Sequence, residues 1–221
     1  MAGKNSATIE DYLGIMYIFR RDGIPLVGAR IAEALSVSPA TVSNTLKRMQ
    51  RDGLVDMDNP EGSCLTESGL ESARSVMRRH MLTEWLLLKM LNVNWSQTHA
   101  EAHQLEHAVS EGLAEQMNIS LDDPKFCPHG NPLPGFESYV ENWTPLNEIK
   151  IGQKVIIRRI HETAEDNPEL LGFFESNKLM PGAEAQLVEK LDFNQTLTLE
   201  IDQNPLLLGY SAARFIYVEI C

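Results

Sequence analysis

Nine residues hold the densest ligating chemistry of the chain: His99-Ala-Glu-Ala-His-Gln-Leu-Glu-His107, with three histidines and two glutamates in strongly helix-favouring sequence. At roughly 100° per residue on a helix, His103, Glu106 and His107 fall within about a quarter-turn of one another. Two imidazoles and a carboxylate on one face suit a divalent transition metal. His99 lies one turn earlier, on the side away from His107, within reach of the same ion or a neighbouring one. Glu101 points to the opposite face. Such a pattern also arises as a polar helix face with ordinary titrating histidines. What argues against that here is the further supply of ligands: His80 and Glu84 at i, i+4, Cys127 and His129 in a Pro/Gly-rich turn, and Asp11 on an N-terminal helix.

Several elements must position these groups. Residues 6–19 read as a helix with an apolar stripe of Ile9, Tyr12, Leu13, Met16 and Phe19, ended at Gly23. A short helix follows, built on Ile31, Ala32 and Leu35. After a break at Val37 a second begins, with Ser38 as N-cap and Pro39 in its first turn. Val42, Leu46 and Met49 face inward, while Thr41, Ser43, Asn44, Lys47 and Arg48 face outward. Residues 54–58, the turn Asn59-Pro-Glu-Gly62 and residues 63–66 read as a two-stranded wing. Turn, helix and wing in this order make a winged helix-turn-helix. Short polar side chains let a helix approach base edges, and basic ones take phosphates. A plain helical pair with a polar surface would share the helices but not the wing.

A long helical region spans 68–91 and a second helix runs from Ser96 to about Met117. Their apolar faces are wide for one hairpin and suit a self-complementary two-fold interface. Pro124, Pro128, Pro132, Pro134, Gly130 and Gly135 make 124–145 a loop. Beyond Leu146 the texture turns to β: strands at 154–158, 185–189, 196–200 and 215–219, with one helix at 168–175, suggest a small barrel. The fold class is thus mainly α with a small β domain. The expected domains are 1–74 (DNA-reading), 75–145 (helical metal-binding and dimerisation) and 146–221 (β).

The 221 residues carry a formal charge of −12, which excludes a generic nucleic-acid coat. The acidity lies downstream: residues 38–51 contain Lys47, Arg48 and Arg51 and no acid. No apolar run approaches the ~20 residues of a membrane span, so no membrane role is expected. There is no signal-peptide core, and three scattered cysteines make no disulfide framework. A cytoplasmic location is the expectation. Cys64 and Cys221 read as plain thiols, and His161 as a surface residue.

Together the winged helix, His80-Met-Leu-Thr-Glu84, the 99–107 helix, His129-Gly-Asn-Pro-Leu-Pro-Gly135 and the β domain resemble the diphtheria-toxin-repressor family of iron- and manganese-dependent regulators. The resemblance covers essentially the whole chain and implies an SH3-like (FeoA-like) third domain. It implies a regulatory metal site of Asp11, His103, Glu106 and His107, and an ancillary site drawing on His80, Glu84, His99, Cys127, His129 and Glu162. Iron-type members carry Met at Asp11 and Cys at His103, while manganese-type members usually carry Glu at the latter. Asp plus His, without sulfur, leans toward Mn²⁺ and leaves Fe²⁺ open, with Co²⁺, Ni²⁺ or Zn²⁺ binding in vitro. A homodimer would read a palindromic double-stranded operator. Ala40, Thr41, Ser43 and Asn44 would face bases, and Arg30, Lys47, Arg48 and Arg51 phosphates. The implied function is metal-dependent transcriptional regulation, with metal-bound protein repressing metal-uptake genes in the service of metal homeostasis. Two competing classes differ in testable ways. A metal-assisted hydrolase would need an open coordination position and a general base, and the chain shows no HExxH or other catalytic signature. A DNA-binding protein with a purely structural metal would keep binding DNA under chelation.

Overall fold

A computed structural model describes residues 5–59 and 62–221. The chain forms two compact units, Met1–His80 with Leu105–Gln116, and Met81–Gln104 with Met117–Cys221.

In the first unit α1 (Ala7–Arg21) buries Ile9, Tyr12, Leu13, Met16 and Tyr17. The pair α2 (Gly28–Ala34) and α3 (Pro39–Arg51) follows. Ser38 caps α3 by accepting from the Thr41 N–H at 3.1 Å, with Pro39 at the first position, as the sequence predicts. Val42, Leu46 and Met49 turn to the core. The wing is real but minimal: β1 (Val55–Asp56) pairs antiparallel with β2 (Cys64–Leu65). Pro60 and Glu61, in the expected wing turn, lie outside the described residues. Helix α4 (Glu67–Leu91) starts where the Thr66 hydroxyl accepts from the Gly69 N–H at 3.0 Å and donates to the Gly53 carbonyl at 2.7 Å. A Cβ on Gly69 would stand 1.9 Å from the Leu54 carbonyl oxygen, so glycine is what lets α4 approach the wing.

The helix expected from 96 to about 117 is in fact three pieces. Helix α5 (Thr98–Leu105) gives way to a 3₁₀ turn, Glu106–Ala108, and α6 (Glu111–Ser120) starts afresh. Val109 is extended, and the Ser110 hydroxyl accepts from the Leu113 N–H at 3.2 Å. A capping serine behind a β-branched residue favours a new start over continuation.

The second unit is built on an antiparallel sheet of β3 (Thr144–Pro145), β4 (Lys154–Ile160), β5 (Glu184–Leu191), β6 (Thr196–Ile201), β7 (Asn204–Gly209) and β8 (Ile216–Ile220). The strand order is β3-β8-β4-β5-β6-β7. Between strands lie α7 (Glu162–Glu165), α8 (Pro168–Ser176) and α9 (Tyr210–Ala213). The sequence misses β3, β7, α7 and α9. Pro205 sits within β7 and is tolerated there because β7 is an edge strand. The core gathers Ile157, Leu187, Leu199, Val218, Phe174 and Trp95.

Candidate metal centres and DNA-reading helix

The first cluster lies within the first unit. Asp11 comes from α1, and Glu106 and His107 from the 3₁₀ turn; one donor atom of each lies within 4.8 Å of the other two. His107 Nε2 is 3.2 Å from Asp11 Oδ1 and 3.6 Å from Glu106 Oε1. Its Nδ1 is 2.7 Å from Glu10 Oε2, and Glu10 is ion-paired to Arg79 at 2.9 Å. His80 Nδ1 hydrogen-bonds Glu106 Oε2. Glu10, Glu106, Arg79 and His80 are buried, and Asp11 and His107 half-buried. Two carboxylates converging on one imidazole nitrogen in a partly dry setting repel each other unless a cation joins them. The donors are oxygen and nitrogen, a set that fits a hard or borderline divalent ion. His103 is exposed on α5, one turn before His107, and belongs to the second unit.

The second cluster lies wholly within the second unit. His99 Nδ1 is 2.7 Å from Glu165 Oε2 and 3.2 Å from Glu84 Oε1. His129 Nδ1 is 3.4 Å from each of the same two oxygens. Two imidazole nitrogens thus share two carboxylate oxygens, and the Cys127 thiol lies within 4.8 Å of Glu84 and His129 donors. Second contacts fix each ligand. His129 Nε2 lies 3.2 Å from the Trp95 carbonyl and donates to it, which directs Nδ1 at the carboxylates. Asn131 donates to Glu165 Oε1 at 2.6 Å, and its own oxygen accepts from Arg159. The loop carrying Cys127 and His129 lies flat on β4: the Ile160 N–H donates to the His129 carbonyl at 2.8 Å. Gly130 there has φ +87°, and a Cβ would stand 1.9 Å from the Arg158 carbonyl oxygen.

The carboxylates of this centre favour protonated imidazoles. Burial opposes charge on His99, but Glu165, Asp166 and Glu84 outweigh it and hold its pKa well above the imidazole range. His129 is likewise raised: burial lowers it, and Glu165 and Glu84 more than reverse that. Burial, with Glu84, Glu165 and Glu162, pushes the Cys127 thiol well up. A pocket that raises imidazoles this way is one that a cation fits.

Of the regulatory residues read from the sequence, Asp11, Glu106 and His107 are brought together. Of the ancillary ones, Glu84, His99, Cys127 and His129 are; His80 bonds to Glu106 through its Nδ1, which leaves its other ring nitrogen for a ligand role. Glu162 is ion-paired to Arg159 at 3.0 Å, and the carboxylate facing both imidazoles is Glu165, which the sequence reading passed over. The spacing Glu162-Thr-Ala-Glu165 offered both, one helical turn apart. His161 is buried, not superficial: its Nδ1 caps α7 by accepting from the Thr163 N–H at 3.1 Å.

On α3, Ala40, Thr41, Asn44, Lys47, Arg48 and Arg51 are exposed, Ser43 is half-buried, and Arg30 is exposed on α2. These form the polar and basic outer face that the sequence predicts. Arg48 donates to Ser6 Oγ at 2.9 Å.

A winged helix with an exposed polar-basic reading helix, in a chain that also carries carboxylate–imidazole clusters that call for a cation, defines the class: a metal-dependent DNA-binding regulator. Residues 4–62 match the model for the iron dependent repressor N-terminal DNA binding domain. Residues 66–135 match its metal binding and dimerisation domain, and 144–220 the FeoA domain. The iron-dependent repressor IdeR of Mycobacterium tuberculosis is 31% identical over 223 residues, covering 96% of each chain. A manganese-dependent transcriptional repressor in complex with manganese has a TM-score of 0.82 at 28% identity, over 96% of this chain and 99% of that one. ScaR with bound Zn²⁺ has a TM-score of 0.79 at 32% identity, over 96% and 98%. The chain belongs to the diphtheria-toxin-repressor family of metal-dependent repressors. It is a DNA-binding regulator with a dimerisation domain, not an enzyme. Among the described residues no helix is long and apolar enough to cross a membrane.

Proposed function

We propose that this protein is a manganese-responsive repressor of metal-uptake genes, with Fe²⁺ as the alternative ion. The observation that carries the reading is the Asp11–Glu106–His107 cluster, which presents a hard aspartate and no sulfur. Relatives named for iron, for manganese and for bound Zn²⁺ leave the ion itself to experiment. His103 completes the regulatory set, and Glu84, His99, Cys127, His129 and Glu165 form the ancillary one. A bound divalent ion supplies the positive charge that lets the clustered carboxylates stay together. Asp11 then ties α1 of the reading domain to the turn that bears Glu106 and His107. That tie holds the reading helices of a homodimer at one spacing along a palindromic operator. Coupling is reciprocal, so DNA tightens metal binding. Functionally the chain divides at about 74 and 145 into reading, metal-binding and SH3-like segments. Ala40, Thr41, Ser43 and Asn44 face bases, while Arg30, Lys47, Arg48 and Arg51 face phosphates.

The test is fluorescence anisotropy on DNA from upstream of the protein's own gene and of neighbouring transporter genes. Chelator, Mn²⁺ and anaerobic Fe²⁺ are compared at fixed salt. Tight, selective binding with Mn²⁺ alone supports the reading. Stronger response to Fe²⁺ changes the ion, and equal binding under chelation makes the clusters structural.

A further inference from the structure

The structure assigns to Glu10 and Arg79 the role of positioning residues for the regulatory centre, a role that rests on His107 being a ligand there. Glu10 stands among the apolar residues that α1 buries, and it is 3% exposed. A buried carboxylate persists only when its charge and lone pairs are met. Its two oxygens have separate partners. Oε1 faces Arg79 Nη2 at 2.9 Å, and Oε2 faces His107 Nδ1 at 2.7 Å.

The consequence is chemical. Arg79, itself 6% exposed, places its guanidinium against the Glu10 carboxylate at 2.9 Å. An anionic acceptor at Nδ1 fixes the proton on that nitrogen and leaves the lone pair on Nε2. That is the nitrogen 3.2 Å from Asp11 Oδ1 and 3.6 Å from Glu106 Oε1. Glu10 therefore selects the tautomer and aims the ring, without touching the ion. The neighbouring residues Glu10 and Asp11 divide the labour on α1: one orients the imidazole and the other shares its ion. Glu106 is held in the same manner from its far oxygen by His80.

The test uses the full chain in a Glu165→Ala background, which removes a carboxylate from the second centre so that the regulatory one is read. Mn²⁺ affinity, the d–d spectrum of bound Co²⁺ and the Mn²⁺ midpoint of DNA binding are measured for Glu10→Ala, Glu10→Gln and Asp11→Ala. Loss of such an outer partner weakens metal binding about ten- to a hundredfold, and Glu10→Ala is expected in that range with an altered Co²⁺ spectrum. Glu10→Gln keeps an acceptor oxygen for the ring and is expected to recover most of the loss, to within about tenfold. A folded Glu10→Ala with unchanged affinity and spectrum overturns the assignment. If Glu10→Ala does not fold, Glu10→Gln decides, and fully unchanged values overturn it. Asp11→Ala separates the two levels. If it abolishes the metal response while the Glu10 variants do nothing, only the positioning role falls. If Asp11→Ala also changes nothing, the ligand reading falls.

Discussion

The two clusters solve one problem in opposite ways. The first is half-open: Asp11 and His107 retain solvent contact, and its outer support is an ion pair, Arg79 with Glu10. The second is nearly closed, with Glu84 and His129 at 0% side-chain exposure. Its outer support mixes neutral groups, the Trp95 carbonyl, the Asn131 amide and the backbone of the Cys127 loop, with one carboxylate, Asp166, at 3.4 Å from His99 Nε2. An open site exchanges its ion readily and can report a fluctuating concentration. A sealed one holds its ion and stiffens what surrounds it. The difference teaches that two centres of similar ligand type can differ in burial and outer partners, which is what the proposed division into a sensing and a bracing centre rests on.

The sharpest way to break this comparison is Asp11→Ala. It is expected to lower metal-dependent operator binding by two orders of magnitude or more, about 3 kcal/mol, while circular dichroism and sizing report a folded dimer. A fully responsive variant would return the first cluster to an ordinary polar surface. Next comes Gly130→Ala. The new methyl collides with the Arg158 carbonyl and the residue must hold a positive φ, so thermal unfolding should show a loss of about 2–4 kcal/mol. His129→Ala should remove one bound equivalent of metal by equilibrium dialysis yet shift the Mn²⁺ midpoint of DNA binding by only about tenfold. A shift as large as that of Asp11→Ala would mean the two centres are one switch.

The smallest effect is a pH dependence confined to the metal-free protein. His99 and His129 have folded-state pKa values above the ordinary imidazole value. Their contribution to stability is therefore complete below about pH 6.5 and is lost as pH rises through the raised values. Chelated protein should melt lower at pH 8.5 than at pH 6, and saturating Mn²⁺ should reduce or reverse that trend, because metal takes the place of the protons. A flat profile under chelation would show that the second centre does not gather protons when empty of metal.

The reading helix was legible because local rules act there without competition: Ser38 and Pro39 start α3, and Val42, Leu46 and Met49 face the core. The ligand types of both clusters were legible for the same reason that chemistry is sparse; His, Cys and paired carboxylates at short spacing stand out. What the sequence hid was set by tertiary contact. The break after Leu105 depends on a capping serine that any helix could have absorbed. Glu165 and Glu162 differ by one turn, and Arg159 decides between them by pairing with Glu162. Glu10 gave no signal, since nothing local reveals that Arg79 and His107 arrive to meet it. Pro205, a poor strand former, hid the edge strand β7.

Trp95 lies against His129, ring centroids 4.5 Å apart, and its indole N–H donates to the Pro128 carbonyl at 2.9 Å. Trp85 and Trp143, the other two of the three tryptophans, also fall in the second unit. Trp95 is therefore an indole fluorophore in contact with a ligand of the second centre. Trp95 emission should fade by paramagnetic quenching in step with Mn²⁺ occupancy of the sealed site, giving that site an optical readout of its own, while filling of the first site is followed through DNA.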